Sequence, residues 1–320
     1  MKKLITLILT TSSLFAYDYS YFLQSVGSNY IGSLTAPNGE TISYIAPISA
    51  IQFGSSASSS SAVSILYSSP EIKAWATGYQ NYMVGTIENQ VDEKWKTPTN
   101  AIGAVSEVDP TKKVCVLGNG GSITLTFSSG ISNGVGADFA VFENGFDENY
   151  LELAFVEVSS NGIDFVRFPT FYVGTERIYE WLQDGNCDVM PENVYNLASK
   201  YESGYGHCFD LEELKIVKAY IDSGNSTFSD EYENAFLSAY STLDFDNISY
   251  VRIIDVYGDG STKDSIGHSI YDPTGDQQSS PGFDLKGVAV LNVSTIPEAS
   301  HFAFVSAFIA LWFCVVRKRR

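Results

Sequence analysis

Acidic side chains are concentrated in one late stretch of this chain, which runs DVYGDGSTKDSIGHSIYDPTGD from residue 255 to 276. Calcium prefers six to eight oxygen ligands from carboxylates and backbone carbonyls, and glycines within the stretch permit the tight turns that bring such oxygens together. The spacing is not that of an EF-hand, because there is no DxDxDG run and no glutamate at the twelfth position. The stretch therefore predicts either a calcium site or a solvated acidic loop. The predicted calcium ligands are Asp255, Asp259, Asp264 and Asp272.

A second group of polar side chains lies in DFAVFENG, residues 138–145. Side chains alternate between the two faces of an extended strand, so Asp138 and Glu143 should point to opposite faces. This separation disfavours a glycosidase pair, which needs two carboxyl groups at a set distance across a cleft. We predict instead that the segment from Glu143 to Gly145 caps a strand end and contacts the aspartate-rich stretch.

Other reactive residue types are few and lack the spacing of familiar sites. His207, Cys208 and Cys187 do not have the CxxC-type spacing of a zinc site. The chain has no HExxH or phosphate-loop motif, which lowers the case for an enzyme. Cys187 and Cys208 flank a loop-rich region and are predicted to pair in an oxidising compartment. Cys115, inside the apolar run VCVL, is predicted to be a buried thiol.

Composition limits the classes of partner. A formal charge of -18 over 320 residues makes a polyanion such as nucleic acid an unfavourable partner. Aromatic residues make up 14% of the chain, enough to build a core, and most of them alternate within strand-like segments. Trp181 is the exception, because it lies in the polar segment ERIYEWLQDGN and is predicted to be exposed, where an indole can stack on a sugar.

These side chains must be positioned by strands, which dominate from about residue 113. Period-2 alternation and turn signals predict strands at 114–117, 121–127, 137–143, 151–159, 163–168, 248–256 and 286–293. Helices are predicted at 71–79, 191–201 and 228–240, while 210–220 is ambiguous. Many short strands separated by turns indicate a mainly β, antiparallel sandwich with helical insertions.

Both ends of the chain carry targeting patterns. Residues 1–16 combine Lys2 and Lys3 with an apolar run and a final alanine, the layout of a secretory signal peptide. Residues 299–316 carry no charge, and 18 residues at 1.5 Å rise make a helix of about 27 Å, which can span a thin membrane. The basic tail 317–320 favours the cytoplasmic side, so the rest of the chain is predicted to lie outside the inner membrane.

The C-terminal layout of Ile-Pro-Glu, apolar span and basic tail resembles a PEP-CTERM sorting signal, with Ala299 where that family has a second proline. The resemblance implies processing by an exosortase-type enzyme, with the span as a temporary or resident inner-membrane anchor before release to the cell surface or matrix. The implied sorting residues are Pro297, Glu298, Arg317, Lys318, Arg319 and Arg320.

Residues 75–292 also resemble an exported bacterial domain through GNGGSITLTF, DFAVFENGF, ELAFVEVSSNGIDFVRFP, YVRIIDV and GFDLKGVAVLN. That resemblance implies a jelly-roll of the galactose-binding type. The predicted organisation is a signal peptide (1–16), a Ser/Gly/Tyr-rich segment (17–69), the β-sandwich (70–293) and the sorting signal (294–320).

Three functional hypotheses follow. The first is an exported, non-catalytic surface or matrix protein, stabilised by Ca²⁺ and binding exopolysaccharide. The second is an extracellular hydrolase acting on polysaccharide, and the third is a purely structural protein.

Overall fold

A computed structural model provides the structure of the protein. It describes the backbone of residues 20–26, 29–35 and 41–47, and the backbone and side chains of residues 64–87, 90–106, 113–145, 151–172, 194–224, 226–273 and 279–294.

Within these residues the chain is mainly β, as predicted, with two α-helices and two short 3-10 helices. The strands are β1 (Ser20–Val26), β2 (Asn29–Thr35), β3 (Thr41–Pro47), β4 (Ser64–Leu66), β5 (Ala74–Trp75), β6 (Gly78–Met83), β7 (Cys115–Val116), β8 (Ser122–Ile131), β9 (Phe139–Glu143), β10 (Ala154–Ser159), β11 (Val166–Arg167), β12 (Phe171–Tyr172), β13 (Val194–Tyr195), β14 (Tyr205–Phe209), β15 (Ile248–Asp255), β16 (Asp259–Lys263), β17 (Ser269–Tyr271) and β18 (Asp284–Val290). The helices are α1 (Glu212–Asp222) and α2 (Asp230–Tyr240), and the 3-10 helices are Glu93–Trp95 and Pro98–Ala101.

Two larger antiparallel sheets form the body of the fold. The five-stranded sheet has the order β11-β10-β15-β8-β6. The six-stranded sheet has the order β4-β14-β9-β18-β5, with β7 also paired to β18. Smaller sheets pair β1-β2-β3, β12-β13 and β16-β17.

The two larger sheets share one hydrophobic core, as the two layers of an antiparallel sandwich do. In β8, Ile123, Leu125 and Phe127 all enter this core, as the alternation in SITLTF predicts. Phe139 of β9 enters it from the other sheet and stacks on Phe209 at 5.2 Å between ring centroids. Alternation of apolar and polar residues therefore selects the buried face of each sheet.

The helical predictions met different outcomes. The helix predicted at 228–240 is confirmed as α2, where the Ser229 hydroxyl accepts a hydrogen bond from the Tyr232 backbone N–H and caps the helix. The ambiguous stretch 210–220 contains most of α1.

Two predicted helices were wrong. The segment 71–79 contains β5 and the start of β6, because Trp75 pairs with Ala289 in the six-stranded sheet. In the described part of 191–201, Asn196 and Ser199 adopt positive φ angles of 53° and 76°, which a right-handed helix does not allow.

Among the residues described, no helix has the length and apolar character needed to cross a membrane. The segments assigned to a signal peptide (1–16) and to a membrane span (299–316) lie outside the described residues.

Candidate cation site

Five carboxylate side chains lie close enough at one end of the sandwich to interact through charge. Glu143 ends β9, Asp284 begins β18, Glu152 precedes β10 by two residues and Asp255 ends β15. The fifth member, Asp272, directly follows β17. Antiparallel pairing brings the end of one strand beside the start of its neighbour, and this explains why residues distant in sequence converge. We call this group the carboxylate cluster.

Three members of the cluster, Glu143, Asp255 and Asp272, accept hydrogen bonds from backbone N–H groups. Glu143 Oε2 accepts from the Gly145 backbone N–H at 2.6 Å and from the Ser199 hydroxyl at 2.8 Å. Asp255 accepts from the backbone N–H groups of Gly120 at 2.7 Å and Phe283 at 2.6 Å.

Asp272 also receives backbone donors, because its Oδ2 accepts from the Leu153 N–H at 2.9 Å. Gly258 lies against the same carboxylate, and a Cβ atom at this glycine would come within 2.0 Å of Asp272 Oδ1. Only a glycine permits so close an approach of the backbone. These contacts hold Asp255 and Asp272 in place.

The other two members, Asp284 and Glu152, accept no hydrogen bond from a described backbone N–H group. Asp284 is 5% exposed, and its Oδ1 is buried without a hydrogen-bond partner among the described residues, while its Oδ2 accepts from the Asn144 amide at 2.9 Å. Glu152 is 7% exposed, and no described donor lies within hydrogen-bonding distance of its carboxylate. A buried carboxylate oxygen without a donor is costly, because desolvation is not offset by a hydrogen bond.

The cluster is strongly unfavourable as a set of five anions. Burial raises the pKa of Glu143 and of Asp255 to about 7. The pKa of Glu152 is raised well above its ordinary range by burial and then by the negative charges of Asp284, Glu143, Asp272 and Asp255.

Burial is also the first cause for the last two members. It raises the pKa of Asp272 with help from the charge of Asp255, and the pKa of Asp284 with help from the charges of Glu143 and Asp255. The buried Lys286 opposes these shifts at Glu143 and Asp284.

Of the four predicted calcium ligands, the structure brings only Asp255 and Asp272 together. Asp259 is exposed on β16, where its carboxylate accepts from the Ser261 backbone N–H at 2.7 Å. Asp264 is buried elsewhere and accepts from the backbone N–H groups of Tyr172 and His268. These hydrogen bonds shape a turn and leave Asp264 outside the cluster.

Sequence reasoning did not name Glu143, Glu152 and Asp284 as ligands, although it placed Glu143 in a strand-end cap that contacts the late acidic stretch. The hydrogen bond that the structure shows goes to Asp284, which lies beyond that stretch and accepts from the Asn144 amide. The sequence did contain a signal that could have identified these three acids, because each of them lies at or near an end of a predicted strand.

The remaining candidate residues divide between the described core and the rest of the chain. Cys115 is a fully buried thiol, as predicted, and Cys208 is also buried. His207 stacks on Phe209 at 4.8 Å, and burial lowers its pKa to about 3, so it is a neutral core residue. The residues that lie outside the described part are Trp181, Cys187, Pro297, Glu298, Arg317, Lys318, Arg319 and Arg320.

Within the described ranges, no three Asp, Glu, His or Cys side chains already converge closely enough to form a preassembled metal site. The members of the carboxylate cluster interact through charge, but their oxygens do not yet meet at one point.

Comparison with known proteins gives no assignment: no family model, no curated protein and no solved structure matches this chain.

Proposed function

We propose that this chain is an exported, non-catalytic protein of the cell surface or extracellular matrix, built on a jelly-roll-type sandwich. The two terminal patterns in the sequence support export and sorting. The position of the acidic side chains supports a non-catalytic role and is the observation that carries this part of the proposal.

A polysaccharide hydrolase requires two carboxyl groups that flank the scissile bond in an accessible cleft. Two acids of the cluster, Glu143 and Asp255, are each 3% exposed and accept hydrogen bonds from the fold itself. A sugar ring cannot reach either carboxylate without displacing those donors. The hydrolase alternative is therefore less well supported.

The two hypotheses are separated by incubating the purified full chain with a panel of polysaccharides. The proposal expects binding or no interaction, and no release of reducing ends. Release of product that is lost in both Glu143→Gln and Asp255→Asn, while circular dichroism shows both variants folded, would establish the hydrolase instead.

Export and sorting are tested by fractionation of cells that express the full chain. We expect the protein in the envelope or surface fraction with residues 1–16 removed. A matched variant without the basic tail 317–320 should change its distribution between these fractions, because the tail sets the orientation of the span. Full-length protein found in the cytosol would overturn the assignment.

An exopolysaccharide is the proposed partner, and the outer face of the five-stranded sheet is the proposed contact surface, because two arginines there offset the negative charge that makes polyanions unfavourable partners of the chain as a whole. On this face Glu157 of β10 pairs across the sheet with Arg167 of β11 and Arg252 of β15. Both arginines are about one-third exposed, and they bond Glu157 while lying over the rings of Phe155 and Phe165.

Two guanidinium groups and one carboxylate leave a local positive charge on a chain of formal charge -18. Planar guanidinium groups are suited to binding carboxylates in a bidentate manner, so a uronate-containing glycan fits this face. We expect the full chain to bind polygalacturonate and not dextran. Arg252→Gln should weaken binding, whereas Lys218→Gln, the same charge change on α1, should not. Equal binding of both polymers would contradict this assignment.

A further inference from the structure

Among the described residues, the acids of the carboxylate cluster outnumber the basic side chains that interact with them. Its five acids are nearly fully buried and come from the ends of different strands, and the nearby Lys286 supplies one positive charge. Buried charges of one sign are stable only if they gain protons, opposite charges or a metal ion.

A second observation points to a ligand. Asp284 is buried and its Oδ1 has no hydrogen-bond partner among the described residues, although Glu143, Asp255 and Asp272 in the same cluster all receive donors. Asp284 also interacts through charge with Glu143, Asp255 and Glu152. An oxygen left without a donor in this position is available to a cation.

We propose that the carboxylate cluster binds one Ca²⁺ ion, with Glu152 and Asp284 as its first ligands and Asp255 and Asp272 completing the carboxylate set. This inference goes beyond the proposed function, because it concerns an ion held inside the sandwich and applies wherever the protein resides. It replaces Asp259 and Asp264 of the sequence-based ligand set with two residues that the fold brings to the site.

Calcium suits this cluster better than other common cations. All the candidate ligands are oxygens, which excludes a preference for soft metals. Magnesium demands regular octahedral geometry and keeps several waters, whereas calcium accepts six to eight oxygens in flexible arrangements. The side chains do not yet converge, so binding requires that some of them rotate. Glu152 lacks a described donor and Asp284 has only one, so these two are the least restrained.

The first measurement is calorimetric titration of Ca²⁺ into the full chain at about pH 8. A high pH is chosen because carboxylates must be deprotonated to bind a metal ion. We expect one ion per chain and a melting temperature that rises by roughly 5–10 °C at a calcium concentration of about 100 times Kd. Magnesium at equal ionic strength should give a much smaller shift. No calcium binding by the wild-type chain would overturn the proposal.

The ligand assignment is tested with Glu152→Gln and Asp284→Asn, each of which removes one charge and keeps the side-chain shape. We expect Kd for calcium to rise about tenfold or more in each variant. Asp259→Asn, the same change at an exposed position of the acidic stretch, is the matched control and should bind like wild type. If Asp259→Asn weakens binding and the two cluster variants do not, the site lies elsewhere and the proposal is wrong.

Weaker calcium binding by the two cluster variants can be distinguished from misfolding by measuring their stability without metal. Removal of one charge from a group of like charges relieves repulsion, so Glu152→Gln should melt no lower than wild type in chelator. A variant that keeps its metal-free stability and loses its calcium response identifies a ligand. A variant that loses metal-free stability and keeps the calcium response would show that Glu152 serves the fold alone.

Discussion

Glu213 offers the sharpest test of how the fold treats a buried charge. It lies in the first turn of α1 and is almost fully buried, away from the carboxylate cluster. Its two carboxylate oxygens accept hydrogen bonds from the Tyr195 hydroxyl at 2.6 Å and the Asn196 amide at 2.7 Å. Burial nevertheless raises the pKa of Glu213 from 4.5 to about 8, with a smaller contribution from the charge of Asp210.

The direction of the effect on stability follows from proton linkage. Between pH 4.5 and about 8 the folded state holds a proton that the unfolded state has released, so the free energy of unfolding falls as the pH rises. At about 1.36 kcal/mol per pH unit, this one carboxyl costs up to about 5 kcal/mol by pH 8. The protonated Glu213 carboxyl therefore contributes its full stabilisation below pH 4.5, and this contribution is lost as the pH approaches 8.

Glu213→Gln removes the titration and keeps an oxygen to accept from Asn196 and an amide to donate to the Tyr195 hydroxyl. Urea denaturation at a series of pH values gives the free energy of unfolding of both proteins. Relative to wild type, the free energy of unfolding of Glu213→Gln should increase by about 3–5 kcal/mol between pH 4.5 and 8.

The neighbouring Glu212→Gln is the control. Its partners Asn133 and Lys215 lower the pKa of Glu212 against the opposing effect of burial, so this variant should lose stability relative to wild type as the pH rises through 4.5. A difference between Glu213→Gln and wild type that stays constant within about 1 kcal/mol over this range would refute the reasoning.

Three further substitutions test the packing of the sandwich by urea denaturation. Phe139→Ala removes a fully buried ring stacked on Phe209 and should cost about 3–5 kcal/mol; a loss below 1 kcal/mol would mean that the shared core is not packed as described. Glu157→Gln weakens the contacts to two partly exposed arginines and should cost about 1–3 kcal/mol, and no loss would show that the pairs contribute nothing. Gly206→Ala would place a Cβ atom 2.6 Å from the ring of Phe142 and should cost about 1–3 kcal/mol, unless the ring moves freely.

The strands of the central sheets were predictable because one periodicity decides both their structure and their buried face. Ile123, Leu125 and Phe127 alternate with polar residues in β8 and all enter the core, as do Val251 and Ile253 on either side of Arg252 in β15. The turn at Asn161-Gly162 was equally readable, since Gly162 adopts a φ of 74° between β10 and β11.

The wrong helices have a different cause. The segment at 71–79 has local helix signals, but pairing of β5 with β18 gives its backbone partners that a single sequence does not reveal. In the segment 194–201, Asn196 and Ser199 bond Glu213 and Glu143, and these contacts hold a left-handed backbone that propensity disfavours. Long-range contacts therefore decided both segments.

Long-range strand pairing also explains why only two of the four proposed ligands could be predicted from the sequence. Asp255 and Asp272 could be found in one acidic stretch, because they are near each other in sequence. Glu152 and Asp284 required knowledge of which strands are neighbours, since they join the cluster only through the two sheets.

The two ends of β9 show that the unsatisfied acids of the cluster are not a general property of this fold. Asp138 immediately precedes β9 at the end opposite Glu143 and is fully buried. Its carboxylate accepts from the Gly134 N–H at 2.7 Å, the Asn292 amide at 2.9 Å and the Leu211 N–H at 2.7 Å. Burial still raises the pKa of Asp138 to about 6, but its charge is met by three donors.

The fold can therefore satisfy a buried carboxylate when that carboxylate serves structure alone. Asp138→Asn replaces one acceptor oxygen by an amide that faces donors, and it should destabilise the chain by about 1–3 kcal/mol. Because Asp138 is remote from the carboxylate cluster, the loss should be the same in calcium and in chelator, whereas the effect of Asp284→Asn should depend on calcium. If the effects of Asp138→Asn and Asp284→Asn depended equally on calcium, Asp284 would not differ from a purely structural acid. The assignment of the cluster as a calcium site would then be wrong.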